Sequence, residues 1–236
     1  AGELVLRAKD GSAVPVFSSH ALVKPVLGPP EMFCLDIDLT ERKRMEEQVR
    51  QLAFFDPLTK LPNRRMLDDR LKQTMAASNR SGHFGALMFL DLDNFKPLND
   101  SHGHEMGDLL LIEVAQRLLT CVREVDTVAR IGGDEFVVML SDLSAERGDS
   151  TEQTRLIAEK IRMSLAQPYV LTAKNEGRRD TSVEHHCSAS VGVVLFFNHE
   201  SSQTDILKWA DAAMYQAKDA GRNRVCFYGE KVGGVA

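Results

Sequence analysis

Four acidic side chains sit at the rims of apolar runs. Asp91 and Asp93 close LMFLDLD, and Asp134 and Glu135 follow the glycine pair of ARIGGDEFVVML. Residues two apart on a strand share a face. A carboxylate at the edge of an apolar core is costly unless it is paired, protonated or bound to a metal. Taken alone, the first pair reads as a strand cap and the second as a solvated acidic hairpin. If the two segments lie side by side, three or four carboxylates converge and their repulsion calls for cations. One or two carboxylates together with phosphate oxygens suit Mg²⁺. Two such ions would position a triphosphate and activate a hydroxyl. Gly132 and Gly133 permit the positive φ of a hairpin turn and let another molecule approach the backbone closely.

The neighbouring residues fit that chemistry. FKPLNDSHGHEMGD places Lys96, Asn99, His104 and Asp108 directly after the first acids. Asparagine and aspartate can read a purine edge, because a carboxylate accepts from the N1–H and N2–H₂ of guanine. Lys218 and Arg222, four apart in YQAKDAGRNR, can hold phosphates. In isolation they read as a cationic helix end favoured by the dipole. EHHC at 184–187 is no zinc signal: adjacent histidines on a strand point to opposite faces, and no partner cluster follows. Trp209, Met163 and Met214 read as helix packing, and Pro97 as local stiffening of a turn.

The elements that must position these groups follow from pattern. The chain has 236 residues, 43% hydrophobic and 27% charged, enough for one or two domains with a core. A net charge of −5 argues against a general nucleic-acid binder, so a phosphate-bearing ligand needs a local basic site or a metal. No apolar run approaches the roughly 18 residues of a membrane span, and no signal peptide is visible. Cys34, Cys121, Cys187 and Cys226 lack paired spacing, which favours a reduced, cytoplasmic protein. The chain begins without Met inside a strand pattern and reads as a fragment of a longer protein, whose other parts would supply any membrane attachment.

Residues 1–39 read as strands, with a hairpin at Asp10-Gly11. Residues 40–53 read as a charged linker helix with Met45, Val49 and Leu52 at helical spacing. Asp38 and Glu41 resemble a capping box. This helix is either solvated or a short parallel coiled coil pairing two chains. Residues 54–230 read as one α+β domain and 231–236 as a tail. Within the domain the patterns predict a helix over 63–77, a buried strand at FGALMFLDLD and a helix opened by Asp108. The glycine hairpin follows, then a helix over 150–166. Strands YVLTA and CSASVGVVLFF flank a polar loop at 174–184. A helix ended by Gly221 and a last strand, RVCFY, complete it.

Several separated motifs in order carry a family resemblance. DPLTKLPNR (56–64), DLDNFKPLNDSHGHEMGD (91–108), the intact run Gly132-Gly133-Asp134-Glu135-Phe136 and DAAMYQAKDAGRNR (211–224) together resemble a GGDEF domain, the catalytic domain of diguanylate cyclases. The resemblance covers about Phe55 to Tyr228. It implies a fold like nucleotidyl cyclases and polymerase palms, with a central, mostly antiparallel sheet flanked by helices. It implies that Asp91 binds Mg²⁺, or Mn²⁺ in its place, through its carboxylate and Leu92 through its carbonyl. Asp134 would be a second carboxylate ligand, and Glu135 would serve the metals or the activation of the 3′-hydroxyl. Asn99 and Asp108 would recognise guanine, with His104 close to the nucleoside. The backbone of Asn94 and Phe95, with Lys96, Lys218 and Arg222, would hold the triphosphate, and Gly132 and Gly133 would leave room for it. The implied reaction joins two GTP into cyclic di-GMP with release of two pyrophosphates. Each domain carries one GTP, so a homodimer is needed.

Arg123 and Asp126 in REVD, separated from Gly132 by five residues, resemble the family's inhibitory site for cyclic di-GMP. Without the resemblance they are a surface Arg–Asp pair worth about 0.2–1 kcal/mol. Either Lys160 or Arg162 would complete the site. Residues 1–39 resemble the last strands of a PAS sensor domain running into its signalling helix, which would set how two cyclase domains face each other. The rival readings are a catalytically silent module that binds GTP or cyclic di-GMP within a larger signalling protein, and a dimerising scaffold.

Overall fold

Local turn chemistry starts the N-terminal sheet. Gly11 takes φ +87°, and Asp10 Oδ1 accepts from the Ser12 N–H at 2.9 Å and its Oγ–H at 2.7 Å. The turn joins β1 (Gly2–Arg7) to β2 (Ala13–Val23), and β3 (Glu31–Asp38) completes an antiparallel sheet ordered β1-β2-β3. The computed structural model describes residues 1–24, 26, 28–173, 181–197 and 201–230. By its contacts the chain divides into two units, Ala1–Ala53 and Phe54–Ala236.

In the first unit three strands bury little: Val16, Ser18 and Leu39 are enclosed, while Val5, Leu22, Met32 and Leu35 stay exposed. Helix α1 (Thr40–Phe54) has no buried residue, and Met45, Val49 and Leu52 lie open to solvent. Its start differs from the expected capping box. Asp38 Oδ1 accepts from the Thr40 N–H at 2.7 Å, two residues on, so the cap closes before Glu41 can take part. Arg42 and Lys43 both pair with Glu3 of β1 at 2.7 Å.

The second unit is built on a five-stranded sheet ordered β10-β9-β4-β6-β5. Its strands are β4 (Gly85–Asp93), β5 (Thr127–Gly132), β6 (Glu135–Leu140), β9 (Ser188–Phe196) and β10 (Val225–Phe227). A separate ribbon pairs β7 (Tyr169–Ala173) with β8 (Thr181–His185). All pairings are antiparallel except β10 with β9. The helices are α2 (Arg64–Ser81), α3 (Phe95–His102), α4 (His104–Cys121), α5 (Arg147–Leu165) and α6 (Gln203–Asp219). This is the expected mixed fold, a mostly antiparallel sheet flanked by helices.

Strand β4 is buried along its whole length, and its period of two serves two cores. Met88, Leu90 and Leu92 join Leu110, Val114 and Ile161 from α4 and α5. Leu87 and Phe89 join Leu67, Leu71, Ala210 and Met214 from α2 and α6. By the same alternation Asp91 and Asp93 fall on the α2/α6 side. Gly192 of β9 lets α6 press onto the sheet: an added Cβ would stand 2.1 Å from both Ala210 O and Met214 N.

Several boundaries differ from the sequence reading, each for a local reason. Helix α2 is capped by Asn63, whose side chain accepts from the Met66 N–H, and it runs on to Ser81 before Gly82 closes it at φ +74°. Helix α4 opens at His104, not Asp108, because Gly103 at φ +83° separates it from α3. Pro97 lies in the first turn of α3 rather than in a turn, where its missing N–H costs nothing. Helix α5 starts at Arg147 rather than at 150. Residues 181–184, expected in a polar loop, belong to β8; the rest of that loop, 174–180, and the tail, 231–236, lie outside the described residues. No helix among the described residues is long and apolar enough to cross a membrane.

Candidate nucleotide and metal site

The register of the sheet brings the separated acids together. Asp91 of β4 lies directly opposite Glu135 of β6, so the two carboxylates share a face at close cross-strand spacing. The Leu92 N–H donates to Asp134 O at 3.3 Å, which stitches the mouth of the glycine hairpin to the end of β4. From α6, Lys218 Nζ reaches Asp91 Oδ2 at 2.8 Å, with 24% and 12% of the two side chains exposed. Burial pushes the Asp91 carboxyl above its ordinary range; Lys218 opposes this, and the charge of Asp134 adds to it. Glu135 is pushed up by burial, then by Asp91, Asp134 and Asp211. The site is a set of mutually repelling acids held together by the fold, with one ammonium beside Asp91.

The donors of this cluster are the carboxylates of Asp91, Asp134 and Glu135. Such hard donors fit Mg²⁺, which is held by one or two carboxylates and completes its shell from water and phosphate. Among the described residues no three His, Cys, Asp or Glu side chains form a ready-made cage. A divalent ion here would therefore draw part of its shell from a ligand's phosphates. Asp211 was not singled out in the sequence. It precedes Lys218 by two helical turns, a spacing that puts both on one side of α6.

The glycine turn is open and anchored. An added Cβ at Gly132 or Gly133 would meet nothing within 4 Å among the described residues, and Gly133 takes φ +50°. Its carbonyl accepts from Arg130 Nε at 3.1 Å and Nη2 at 2.7 Å. Arg130 Nη1 in turn donates to both oxygens of Asp56, at 3.0 and 3.2 Å. The Thr59 N–H and Oγ1–H also bind Asp56 Oδ1, at 2.8 and 2.7 Å. The DPLT motif thus holds the turn that carries Asp134. Burial alone would raise the Asp56 carboxyl, but Thr59 and Arg130 outweigh it and hold it below its ordinary range. A depressed folded-state value stabilises the fold above the unfolded-state value and is lost as pH falls through the folded one. Asp56→Asn is expected to lower the melting temperature at pH 7, and the gap to the parent chain is expected to narrow as pH falls below the ordinary aspartate value of about 3.9. A gap that stays constant as pH is taken well below the ordinary aspartate value would contradict the ion pair's role.

The remaining residues expected to face a nucleotide collect at the α3–α4 elbow and at the end of α6. Asn94, at φ +62°, leads into α3, so the first amides of that helix, at Phe95 and Lys96, follow the acids in the chain. Helix N-termini favour anions. Asn99 packs against α4 so closely that a Cβ on Gly107 would stand 2.0 Å from its Oδ1, and that oxygen has no hydrogen-bond partner among the described residues. Gly107 was missed in the sequence, where it stands just before the helix expected to open at Asp108; its only signal was a glycine beside a helical pattern. His104 and Asp108 lie one turn apart on α4, both exposed. Arg222 is exposed in the turn that follows Gly221.

Arg123 and Asp126 lie elsewhere, before β5, at the opposite end of that strand from Gly132. The Asp126 carboxylate is fully enclosed and Arg123 half exposed. Asp126 accepts from the Arg123 N–H at 3.0 Å, from Arg123 Nε and Nη2 at 3.3 and 3.2 Å, and from the Ser141 N–H at 3.2 Å. Arg123 Nη2 also reaches Ser141 O at 2.8 Å. Lys160 donates to Thr120 O and Cys121 O, at 3.4 and 3.0 Å, close to Arg123. Arg162 turns away to Glu159 and Asn223.

The profile of the family described as diguanylate cyclase, GGDEF domain, matches residues 53–224. The chain belongs to the GGDEF family. It is 43% identical over 189 residues to the bifunctional diguanylate cyclase/cyclic di-GMP phosphodiesterase MucR of Pseudomonas aeruginosa, a match covering 80% of this chain and 25% of that protein. It is 37% identical over 205 residues to the cyclic di-GMP phosphodiesterase PdeR of Escherichia coli, covering 85% of this chain and 28% of that protein. The chain thus spans about a quarter of the length of these curated relatives. Among solved structures, the coiled coil and GGDEF domain of DgcB from Caulobacter crescentus in complex with c-di-GMP superposes with a TM-score of 0.67 at 32% identity. That match covers 80% of this chain and 93% of that one. The five-residue run that names the GGDEF family is here the hairpin bearing Asp134 and Glu135.

Proposed function

We propose that this chain is a diguanylate cyclase domain that condenses two GTP into cyclic di-GMP and two pyrophosphates as a homodimer. The observation that carries the reading is Asp91 facing Glu135 across β4 and β6, with Lys218 on Asp91. Mg²⁺ held by Asp91, Asp134, Glu135 and the Leu92 carbonyl would neutralise the triphosphate and make the 3′-hydroxyl easier to ionise. Lys218, with Lys96, Arg222 and the first amides of α3, holds the phosphates. Asn99 and Asp108 recognise the guanine edge beside His104. Glu135, its carboxyl raised by burial and its acidic neighbours, takes the 3′-hydroxyl proton as that oxygen bonds to the partner nucleotide's α-phosphorus and pyrophosphate leaves. The exposed stripe Met45, Val49 and Leu52 supports pairing of two chains through α1, in keeping with the PAS-like reading of residues 1–39.

A regulatory module that binds nucleotide without turnover is the second reading, favoured by the match to a protein named as a phosphodiesterase. Chromatography after incubation with GTP and Mg²⁺ separates the two. Cyclic di-GMP and pyrophosphate in a ratio of one to two support the cyclase. Unchanged GTP from a demonstrably dimeric sample supports the module. For inhibition by product, Arg123 and Lys160 would release their present partners to clamp phosphate. Arg123→Ala is expected to raise the concentration of cyclic di-GMP giving half-inhibition by about tenfold, the scale of one charge-assisted contact. An unchanged inhibition curve removes the assignment.

A further inference from the structure

Asp93 is the acid that the proposed chemistry leaves unused. It is 2% exposed at the end of β4. Three groups from two other segments donate to it: Ser188 Oγ to Oδ2 at 2.6 Å, Ser190 Oγ to Oδ1 at 2.8 Å and the Asn223 N–H to Oδ2 at 3.1 Å. The third contact is the informative one. Arg222 and Asn223 take φ +63° and +44° in succession, left-handed conformations uncommon outside glycine. Such a turn persists only where its surroundings hold it. Here the Arg222 N–H donates back to Ala217 O at 3.0 Å, and Asp93 takes the next N–H along.

We propose that Asp93 is a positioning residue. It clamps the turn between α6 and β10 so that Arg222 faces the triphosphate of a guanine nucleotide, and it is not a metal ligand. The inference rests on the nucleotide-binding part of the function proposed above. Asp93 lies two residues beyond Asp91 on the same strand, so the clamp refers the phosphate-holding turn to the strand end that carries the metal-binding acid. Asn223 supplies its backbone, and Arg222 its side chain, from adjacent positions, so a loosened clamp acts first on Arg222.

The test is calorimetric binding of a non-hydrolysable GTP analogue and of guanosine, each with Mg²⁺, to Asp93→Ala, Asp93→Asn and Arg222→Ala. Asp93→Ala is expected to weaken the triphosphate analogue by about tenfold, the scale of one hydrogen bond to a charged group, and to leave guanosine unchanged. Asp93→Asn, which removes the same charge but keeps an acceptor for the Asn223 N–H, is expected to recover most of the loss. Adding Arg222→Ala to Asp93→Ala should cost little more than the larger single change. Equal losses in the Ala and Asn variants, full additivity with Arg222→Ala, or no loss would each overturn the clamp. If Asp93→Ala does not fold, the Ser188→Ala/Ser190→Ala double variant decides. It keeps the charge and strips two donors, and a loss of about threefold confined to the triphosphate is expected, whereas unchanged affinity overturns the proposal. A parent chain that binds neither ligand would instead sink the function on which the inference rests.

Discussion

Glu135→Gln is expected to slow cyclic di-GMP formation at least about a thousandfold, the scale seen when a charge-stabilising group is removed from an active site. Glutamine keeps the shape and the place on β6 opposite Asp91, but it cannot take a proton or add charge for a cation. The same change relieves repulsion, since Asp91, Asp134 and Asp211 all press on this carboxyl. Its melting temperature should therefore be equal to or above that of the parent chain. Product chromatography and thermal unfolding on the same sample check both halves. A loss below about tenfold, or a loss that tracks a falling melting temperature, would contradict a chemical role for Glu135.

Gly192→Ala is expected to be the most damaging single-methyl change in the unit Phe54–Ala236. The two atoms 2.1 Å from its added Cβ are backbone atoms of α6, and no rotamer change relieves them. Either α6 slides off β9 or the strand buckles. Overpacking of this kind costs about 1–3 kcal/mol or more, so a fall in melting temperature of roughly 5–10 °C is expected for a domain of this size. The movement is also chemical, because α6 carries Lys218, which bonds Asp91. Nucleotide affinity should fall in whatever fraction remains folded. Alanine tolerated with no change in melting temperature or affinity would show that α6 is not held where it is described.

Residues with a local physical signature were legible in the sequence. The apolar run ending at Asp91 announces a central strand by its composition, and Gly132-Gly133 announces a hairpin by conformational need. Whether the two lie side by side depends on register, which periodicity alone does not give; the family resemblance supplied that step. What stayed hidden was tertiary. Gly107 and Gly192 look like weak points in a helix and a strand, and their reason is the neighbour they admit. Asp211 looks like a surface residue of α6 until the sheet places Glu135 near it. Asp91 and Asp93 are indistinguishable as a D-x-D pair, yet one meets Lys218 and the other is enclosed by Ser188, Ser190 and the Asn223 amide. The start of α4 was misplaced because aspartate is a good N-cap, while the break that matters is Gly103 in an unusual backbone conformation.

The gathering of magnesium around a guanine nucleotide's phosphates by acids from β4 and β6 is the step on which the proposed function depends. Its most direct measurement is calorimetric titration of a non-hydrolysable GTP analogue into the parent chain and into Asp91→Asn, with Mg²⁺ and again with a chelator. Binding that needs the ion, and that weakens by about tenfold or more in the variant even when the ion is present, is the predicted result. Equal affinity with and without Mg²⁺ in the parent chain would contradict the account.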